Sequence, residues 1–251
     1  RVGRVAVAGR PFARHQQGGA RGLATAVSVD GGVTWSRPQP APFTQCGGGS
    51  FARASDPWVA VSNSAILQIG IAFSGATLTA GARSTVLVSR SGDGGTTWSP
   101  AVQLVGDDGA RFFHDKETLT VDSTDARFVY AVWDRLDSSD TGVTLLARST
   151  DGGVTWLPAV PIYDPGVARQ TIGNVAVTTP DGVVHVFFTE LGPSAGNPAV
   201  TEGRLAVIRS TDKGFTWSAP TRIAQLLAVG TRIPSQTSLT VRAGEILGTF
   251  A

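Results

Sequence analysis

The sequence contains no methionine and only one cysteine. Because Cys46 has no second cysteine to pair with, a disulfide within the chain is excluded, and packing and hydrogen bonds must hold the fold together. Methionine is missing even from position 1, where the chain starts with Arg1. The last segment, 245–251, has the composition of a strand interior, so we expect the chain to be a piece of a longer protein.

Charged residues and long apolar runs are also scarce. Charged residues make up 16% of the 251 positions, and the net charge is +2. The acidic and basic residues are interspersed, without the concentrated basic stripe of a nucleic-acid binder. No run of about eighteen apolar residues occurs, so no membrane span is expected. The hydrophobic fraction of 41% instead favours a packed globular domain.

Motifs for metal and cofactor binding are missing as well. His15, His114 and His185 are far apart and lack the spacing of metal ligands. The sequence has no phosphate-binding loop, dinucleotide fingerprint or nucleophile elbow. We therefore expect no metal and no cofactor.

One eight-residue pattern, S-x-D-x-G-x-T-W, occurs four times. Its spacing is nearly constant, at about 60 residues, which indicates an internal repeat. We call these segments the repeat turns; they cover residues 28–35, 91–98, 149–156 and 210–217.

The chemistry of the pattern predicts a hairpin turn. Asp and Ser side chains can bond to backbone N–H groups a few residues further on, and the Gly permits a positive φ. The Thr and Trp then begin the next strand, and four of the six Trp occupy this position. We interpret the Trp as a packing anchor between neighbouring units. The four aspartates are interpreted as structural; they are Asp30, Asp93, Asp151 and Asp212.

Before its repeat turn, each unit contains a strand in which the residue type alternates between the two faces. Two apolar strands lie further upstream, and a short strand follows the Trp. Four short strands per unit predict an all-β fold, a β-propeller of four-stranded antiparallel blades. We expect a single domain over 1–251, with complete blades at 55–106, 115–164 and 171–225 and partial blades at 1–40 and 232–251. The expected architecture is a partial ring of about four blades from a six-bladed propeller. The alternative is a four-bladed ring, closed by pairing of the two end fragments.

The repeat turns resemble the Asp-box, or BNR, repeats of the sialidase superfamily. The segments 54–59, 115–118 and 129–135 resemble bacterial sialidase-like proteins. This resemblance implies that the turn aspartates lie at the blade periphery, away from any active site. We further expect a monomeric protein that is secreted or periplasmic and binds a glycan or glycoconjugate.

Sialidases bind the substrate carboxylate with three arginines and use an Asp acid/base and a Tyr nucleophile partnered by a Glu. The segment 231–234 resembles their Arg-Ile-Pro motif, but Thr231 stands where the family has an aromatic residue. Neither Tyr130 nor Tyr163 lies in a recognisable nucleophile context. The resemblance implies a sialidase-like exo-glycosidase acting on sialylated or related acidic glycans. The alternative is a non-catalytic propeller that binds glycan or protein.

Charged residues recur just before or within the first strand of successive blades, although each strand continues as mostly apolar. These entrance residues are Arg53, Asp56, Asp115, Glu117, Arg169 and Arg232. We predict that the three arginines bind an anionic ligand and that the three acids supply acid/base groups, all on one face opposite the repeat turns. The alternative interpretation is salt bridging between neighbouring blades. Glu190 lies at a strand end and is interpreted as an ordinary strand-end carboxylate without a functional role. The alternative is that its side chain points into a central cleft.

Overall fold

A computed structural model describes residues 19–139, 141–194, 196 and 201–226, and the backbone of short strands at 4–8, 231–232 and 240–241. The described residues are almost entirely β, with one single-turn 3₁₀ helix at Gln45–Gly47. They contain no helix that is long and apolar enough to cross a membrane.

Three complete four-stranded blades follow an amino-terminal sheet. That sheet contains β1 (Arg4–Ala8), β2 (Ala24–Ser28) and β3 (Gln39–Pro40). Blade I contains β4 (Arg53–Val61), β5 (Ile66–Ser74), β6 (Arg83–Ser91) and β7 (Val102–Asp108). Blade II contains β8 (Phe112–Val121), β9 (Val129–Asp137), β10 (Gly142–Ser149) and β11 (Val160–Tyr163). Blade III contains β12 (Gln170–Thr178), β13 (Val184–Pro193), β14 (Thr201–Ser210) and β15 (Thr221–Leu226). Two short strands, β16 (Thr231–Arg232) and β17 (Thr240–Val241), pair with each other.

Neighbouring strands within each blade are antiparallel, and a single parallel pair, Gly142 with Gln170, joins blades II and III. In the described part of the chain the sheets do not close into a ring. The predicted all-β partial propeller is therefore confirmed.

The apolar cores lie between the faces of neighbouring blades. Leu67 and Ile69 of blade I pack with Leu119 and Trp133 of blade II, and Trp133 is fully buried. A second cluster joins Tyr130 and Val132 of blade II to Phe188 and Ile208 of blade III. Strands with alternating side chains can bury one face against each neighbour, which explains why apolar residues occupy both faces of the middle strands.

The repeat turns are closed by their own serine and aspartate side chains, as the turn at 149–156 illustrates. Ser149 Oγ donates to Asp151 Oδ1 at 2.8 Å and accepts from the Gly153 amide at 2.8 Å. Asp151 also accepts from the amide of Thr155 at 2.9 Å and from its hydroxyl at 2.6 Å. Burial opposes ionisation, but the bonds from Thr155 hold the pKa of Asp151 at about 2.

Gly153 shows why the turn needs glycine at this point. Its φ is +84°, and a Cβ atom there would lie 2.2 Å from Cδ2 of Leu67 in blade I. The repeat turn of one blade therefore packs directly against the preceding blade, and only a residue without a side chain fits.

Replacing Ser149 by alanine is expected to destabilise the protein by about 1–3 kcal/mol, because the buried amide of Gly153 loses its acceptor. Urea unfolding of the two proteins measures this difference. Ser50→Ala changes an exposed serine and is the matched control, with no expected loss. Equal unfolding free energies for wild type and Ser149→Ala would show that the turn does not depend on this hydroxyl.

Lys213 departs from the glycine found at the same position in the other three repeat turns. It adopts a left-handed φ of 61°, which is unfavourable for a lysine. Its ammonium lies 2.9 Å from Oδ2 of Asp122 in blade II, and Tyr130 also donates to that oxygen at 2.9 Å. Lys213 thus links blade III to a buried carboxylate of blade II, and this contact offsets the backbone strain.

Candidate functional site

In blades I to III, the entrance residues and the repeat turns lie at opposite ends of the strands. In blade I, Arg53 pairs with Phe73 at one end of the sheet. At the other end, Ile66 pairs with both Val61 and Ser91, where a repeat turn begins. We call the end that contains Arg53 the upper face.

Each first strand contains a β-bulge near its upper end. The bulges comprise residues 56–57 in β4, 116–117 in β8 and 173–174 in β12. Their first residues, Asp56, Lys116 and Gly173, have left-handed φ values of 50°, 54° and 71°. A bulge interrupts the alternation of a strand and re-aims the following side chains. Polar side chains can therefore leave these strands in directions that a regular strand does not allow.

Four residues in or directly beside the first two bulges form a carboxylate cluster: Asp56, Asp115, Lys116 and Glu117. The ammonium of Lys116 lies 2.6 Å from Oδ2 of Asp56 in blade I and 3.5 Å from Oδ1 of Asp115. The side chains of Asp56 and Asp115 are 28% and 21% exposed. The cluster therefore spans the junction of two blades and is open to solvent on one side.

Asp115 is held in an environment that disfavours its charge. Burial raises the pKa of this carboxyl, and the nearby charge of Asp56 raises it further, while Lys116 acts in the opposite direction. Asp115 therefore keeps its proton to a higher pH than an ordinary aspartate, although part of its surface remains accessible.

Glu117 belongs to the interior of the cluster. Its side chain is buried, and Oε1 accepts a hydrogen bond from the amide of Ile71 in blade I at 2.8 Å. Burial raises its pKa well above the ordinary value of 4.5. Glu117 joins blades I and II through its bond from Ile71, and this carboxyl has almost no exposed surface with which to contact a ligand.

Glu117→Gln is expected to stabilise the protein at neutral pH. The raised pKa means that the folded protein keeps a proton that the unfolded chain releases above about pH 4.5, so rising pH costs wild-type stability. Glutamine does not titrate, and its carbonyl can still accept the Ile71 N–H. Urea unfolding at about pH 4 and about pH 7 should show a gain that appears only at the higher pH.

Asp181→Asn is the control for this experiment. Asp181 is exposed, and hydrogen bonds from Thr179 and the amide of Val183 lower its pKa. Its folded-state pKa is shifted in the other direction, so no gain is expected at neutral pH. A Glu117→Gln protein that is less stable than wild type at about pH 7 would show that the buried carboxyl is needed in its charged form.

Asp134 is a further residue of the candidate site. In the sequence it was noted only as part of the segment 129–135, without a role of its own. It is fully buried and accepts hydrogen bonds from Thr171 Oγ1 at 2.8 Å, from the Gly173 amide at 3.2 Å and from the Asn174 side chain. Burial raises its pKa well above the usual range despite these bonds. Asp134 pairs with Asp115 across β8 and β9, so the two carboxyls lie in one row of the sheet.

Two of the three predicted anion-binding arginines, Arg53 and Arg169, are engaged within their own blades. Arg53 is buried, stacks 4.4 Å from the centre of the Phe73 ring and donates to the Gly75 carbonyl. Arg169 donates to the carbonyl of Pro193 at 3.1 Å. The side chain of Arg232 lies outside the described residues. The ligand-binding role of these three arginines stays a prediction, and burial leaves Arg53 little surface for it.

Glu190 lies in a separate polar group between blades II and III. Its two buried oxygens each accept from Arg222 at 3.1 Å, and Arg169 lies 3.8 Å away. Tyr163 stacks on Phe188, with ring centres 4.9 Å apart. Burial, and then the charge of Glu190, raise the pKa of Tyr163. The phenol therefore stays protonated at neutral pH, and Glu190 serves as an ion-pair partner.

Sequence comparison links the chain to a glycosidase over part of its length. No protein-family model matches it. A 150-residue stretch, 53% of the chain, is 31% identical to xyloglucanase Xgh74A of Acetivibrio thermocellus and covers 16% of that protein.

Comparison of structures gives a broader match. The Hadza microbial sialidase Hz136 superposes with a TM-score of 0.56 at 18% identity, over 78% of this chain and 44% of the sialidase. The Penicillium chrysogenum α-L-arabinanase, solved with arabinobiose, superposes with a TM-score of 0.59 at 16% identity, over 80% and 58% of the two chains. The chain has a sialidase-like β-propeller fold. This propeller spans about half the length of the solved structures that it matches.

Proposed function

We propose that this propeller takes part in the hydrolysis of glycosidic bonds, with Asp115 as the general acid and Asp56 as its ionised partner. One observation carries the proposal. The two carboxyls contact the same ammonium group, yet burial raises the pKa of Asp115 while Asp56 forms a 2.6 Å ion pair with Lys116. Two neighbouring carboxyls with different environments are the arrangement that glycoside hydrolysis requires.

The chemistry assigns each group a step. Asp115 holds its proton at a pH where an ordinary aspartate is ionised, and it donates this proton to the leaving glycosidic oxygen. The negative charge of Asp56 stabilises the positive charge that develops on the sugar ring, or it activates the attacking water. Lys116 forms an ion pair with Asp56 at 2.6 Å. Glu117 and Asp134 are buried and act as positioning residues.

The substrate is a finer part of the same proposal. The resemblance of the repeat turns implies sialylated or related acidic glycans as substrates and a secreted or periplasmic protein. The similar proteins include a sialidase, an arabinanase and a xyloglucanase, which differ in their sugars. Because one fold supports many specificities, the sugar must be identified by experiment.

A panel of fluorogenic glycosides tests the proposal on the protein expressed from its complete gene. The panel contains a sialoside, an α-L-arabinofuranoside and a β-glucoside, and release of the fluorophore is the readout. We expect turnover of at least one glycoside that is lowered in Asp115→Asn and kept in Asp181→Asn, which changes an exposed carboxylate. Turnover is lowered rather than abolished because a fluorogenic leaving group needs little protonation. Binding of the glycosides without any turnover would instead favour the non-catalytic propeller.

A further inference from the structure

Trp58 is an exposed aromatic residue in the first strand of blade I. Its side chain is 43% exposed, whereas the similarly large Trp133 is fully buried in the core. The indole Nε1 donates to the Leu119 carbonyl of β8 in blade II at 3.0 Å. The ring is therefore anchored across the junction of two blades while a large part of its surface faces solvent.

Trp58 lies beside the carboxylate cluster. It follows Asp56 by two residues, and its hydrogen-bond partner Leu119 follows Lys116 by three residues in the adjacent strand. Pro57, between Asp56 and Trp58, fixes its own φ and stiffens the backbone at the bulge. The wall formed by β4 and β8 thus carries a partly exposed indole in the strand segments that directly follow the partly exposed carboxylate and ammonium groups.

We propose that Trp58 is the stacking platform of a glycan-binding subsite that takes an uncharged sugar residue. A sugar ring has one face of C–H groups, which packs on an indole, and a rim of hydroxyls, which bond to carboxylate and ammonium groups such as those of Asp56 and Lys116. Because a hydrogen bond already fixes the indole, little side-chain freedom is lost on binding. The ammonium of Lys116 is paired with Asp56, so the cluster has no excess positive charge with which to select an anionic sugar over an uncharged one. The proposal rests on the proposed function in that it places this sugar next to the bond that is cleaved.

The test uses the protein from the complete gene, labelled with 5-fluorotryptophan and carrying Asp115→Asn so that sugars are not consumed. Fluorine NMR follows the Trp58 signal, assigned with Trp58→Phe, during titration with arabinobiose, a xyloglucan oligosaccharide and 3′-sialyllactose. We expect at least one of these probes to shift the Trp58 signal saturably. Trp35, which is 46% exposed but belongs to a repeat turn, is the internal control and should not shift.

Affinity measured by calorimetry provides the second readout. Trp58→Ala is expected to weaken the probe that binds by about tenfold or more, and Trp58→Phe by less, because it keeps an aromatic face. Trp35→Ala should leave the affinity unchanged. Unchanged affinity in a folded Trp58→Ala protein, or no shift of the Trp58 signal with any probe, would overturn the platform. In that case continued turnover of the fluorogenic panel by Trp58→Ala with Asp115 intact would leave the hydrolytic proposal standing.

Discussion

Replacing Asp115 by asparagine is expected to lower kcat by about 10²- to 10⁴-fold on glycosides with poor leaving groups, because the leaving oxygen no longer receives a proton. The loss should be much smaller on aryl glycosides whose leaving group is a stable anion. A merely structural role for Asp115 would reduce both rates alike. Steady-state rates on two glycosides with the same sugar and different leaving groups therefore separate the two roles.

The pH profile gives a second signature of the same residue. Burial and the charge of Asp56 raise the pKa of Asp115, so the rate should fall on the alkaline side at a pH above the ordinary aspartate value. Lys116 opposes this shift. Lys116→Asn, which tolerates the left-handed backbone at this position, should therefore move the alkaline limb to higher pH. A limb that moves to lower pH would contradict the assignment of Asp115 as the acid.

The fold could be predicted from sequence because its signals are local. The S-x-D-x-G-x-T-W turns depend on side chains that bond within four residues, as Ser149 and Asp151 do. Their regular recurrence and the alternating strands between them were enough to predict four-stranded blades. The structure confirms this all-β partial propeller.

The site was less accessible to sequence reasoning because it depends on long-range packing. The residue pattern along β8 gives no sign of the bulge at 116–117. This bulge directs the side chain of Glu117 toward Ile71 in another blade. Asp134 directly follows the apolar segment 129–133, so the sequence alone suggests no polar role for it. Its hydrogen-bond partners lie about 40 residues further along the chain, too far for a local pattern to reveal them. Charge near the strand entrance pointed to the region of the carboxylate cluster, but burial separates Arg53 and Glu117 from the partly exposed Asp56 and Asp115.

Replacing Asp134 by alanine is expected to cost about 3–4 kcal/mol of folding stability. The change removes the acceptor for Thr171, Gly173 and Asn174 at once, and all of these groups lie at the start of blade III, next to blade II. Buried donors without an acceptor lose their hydration without compensation. Urea unfolding measures the cost, with Asp137→Ala as the control, since Asp137 lies at the end of the same strand and is partly exposed.

A double-mutant cycle shows whether the cost of Asp134→Ala arises at this blade junction. Thr171→Val removes one of the three donors and adds no polar group. If Asp134 acts by accepting from Thr171, the double variant should be more stable than the two single losses together imply, by about 0.5–3 kcal/mol. Strictly additive losses would mean that the two side chains act independently and that Asp134 stabilises the fold by some other contact.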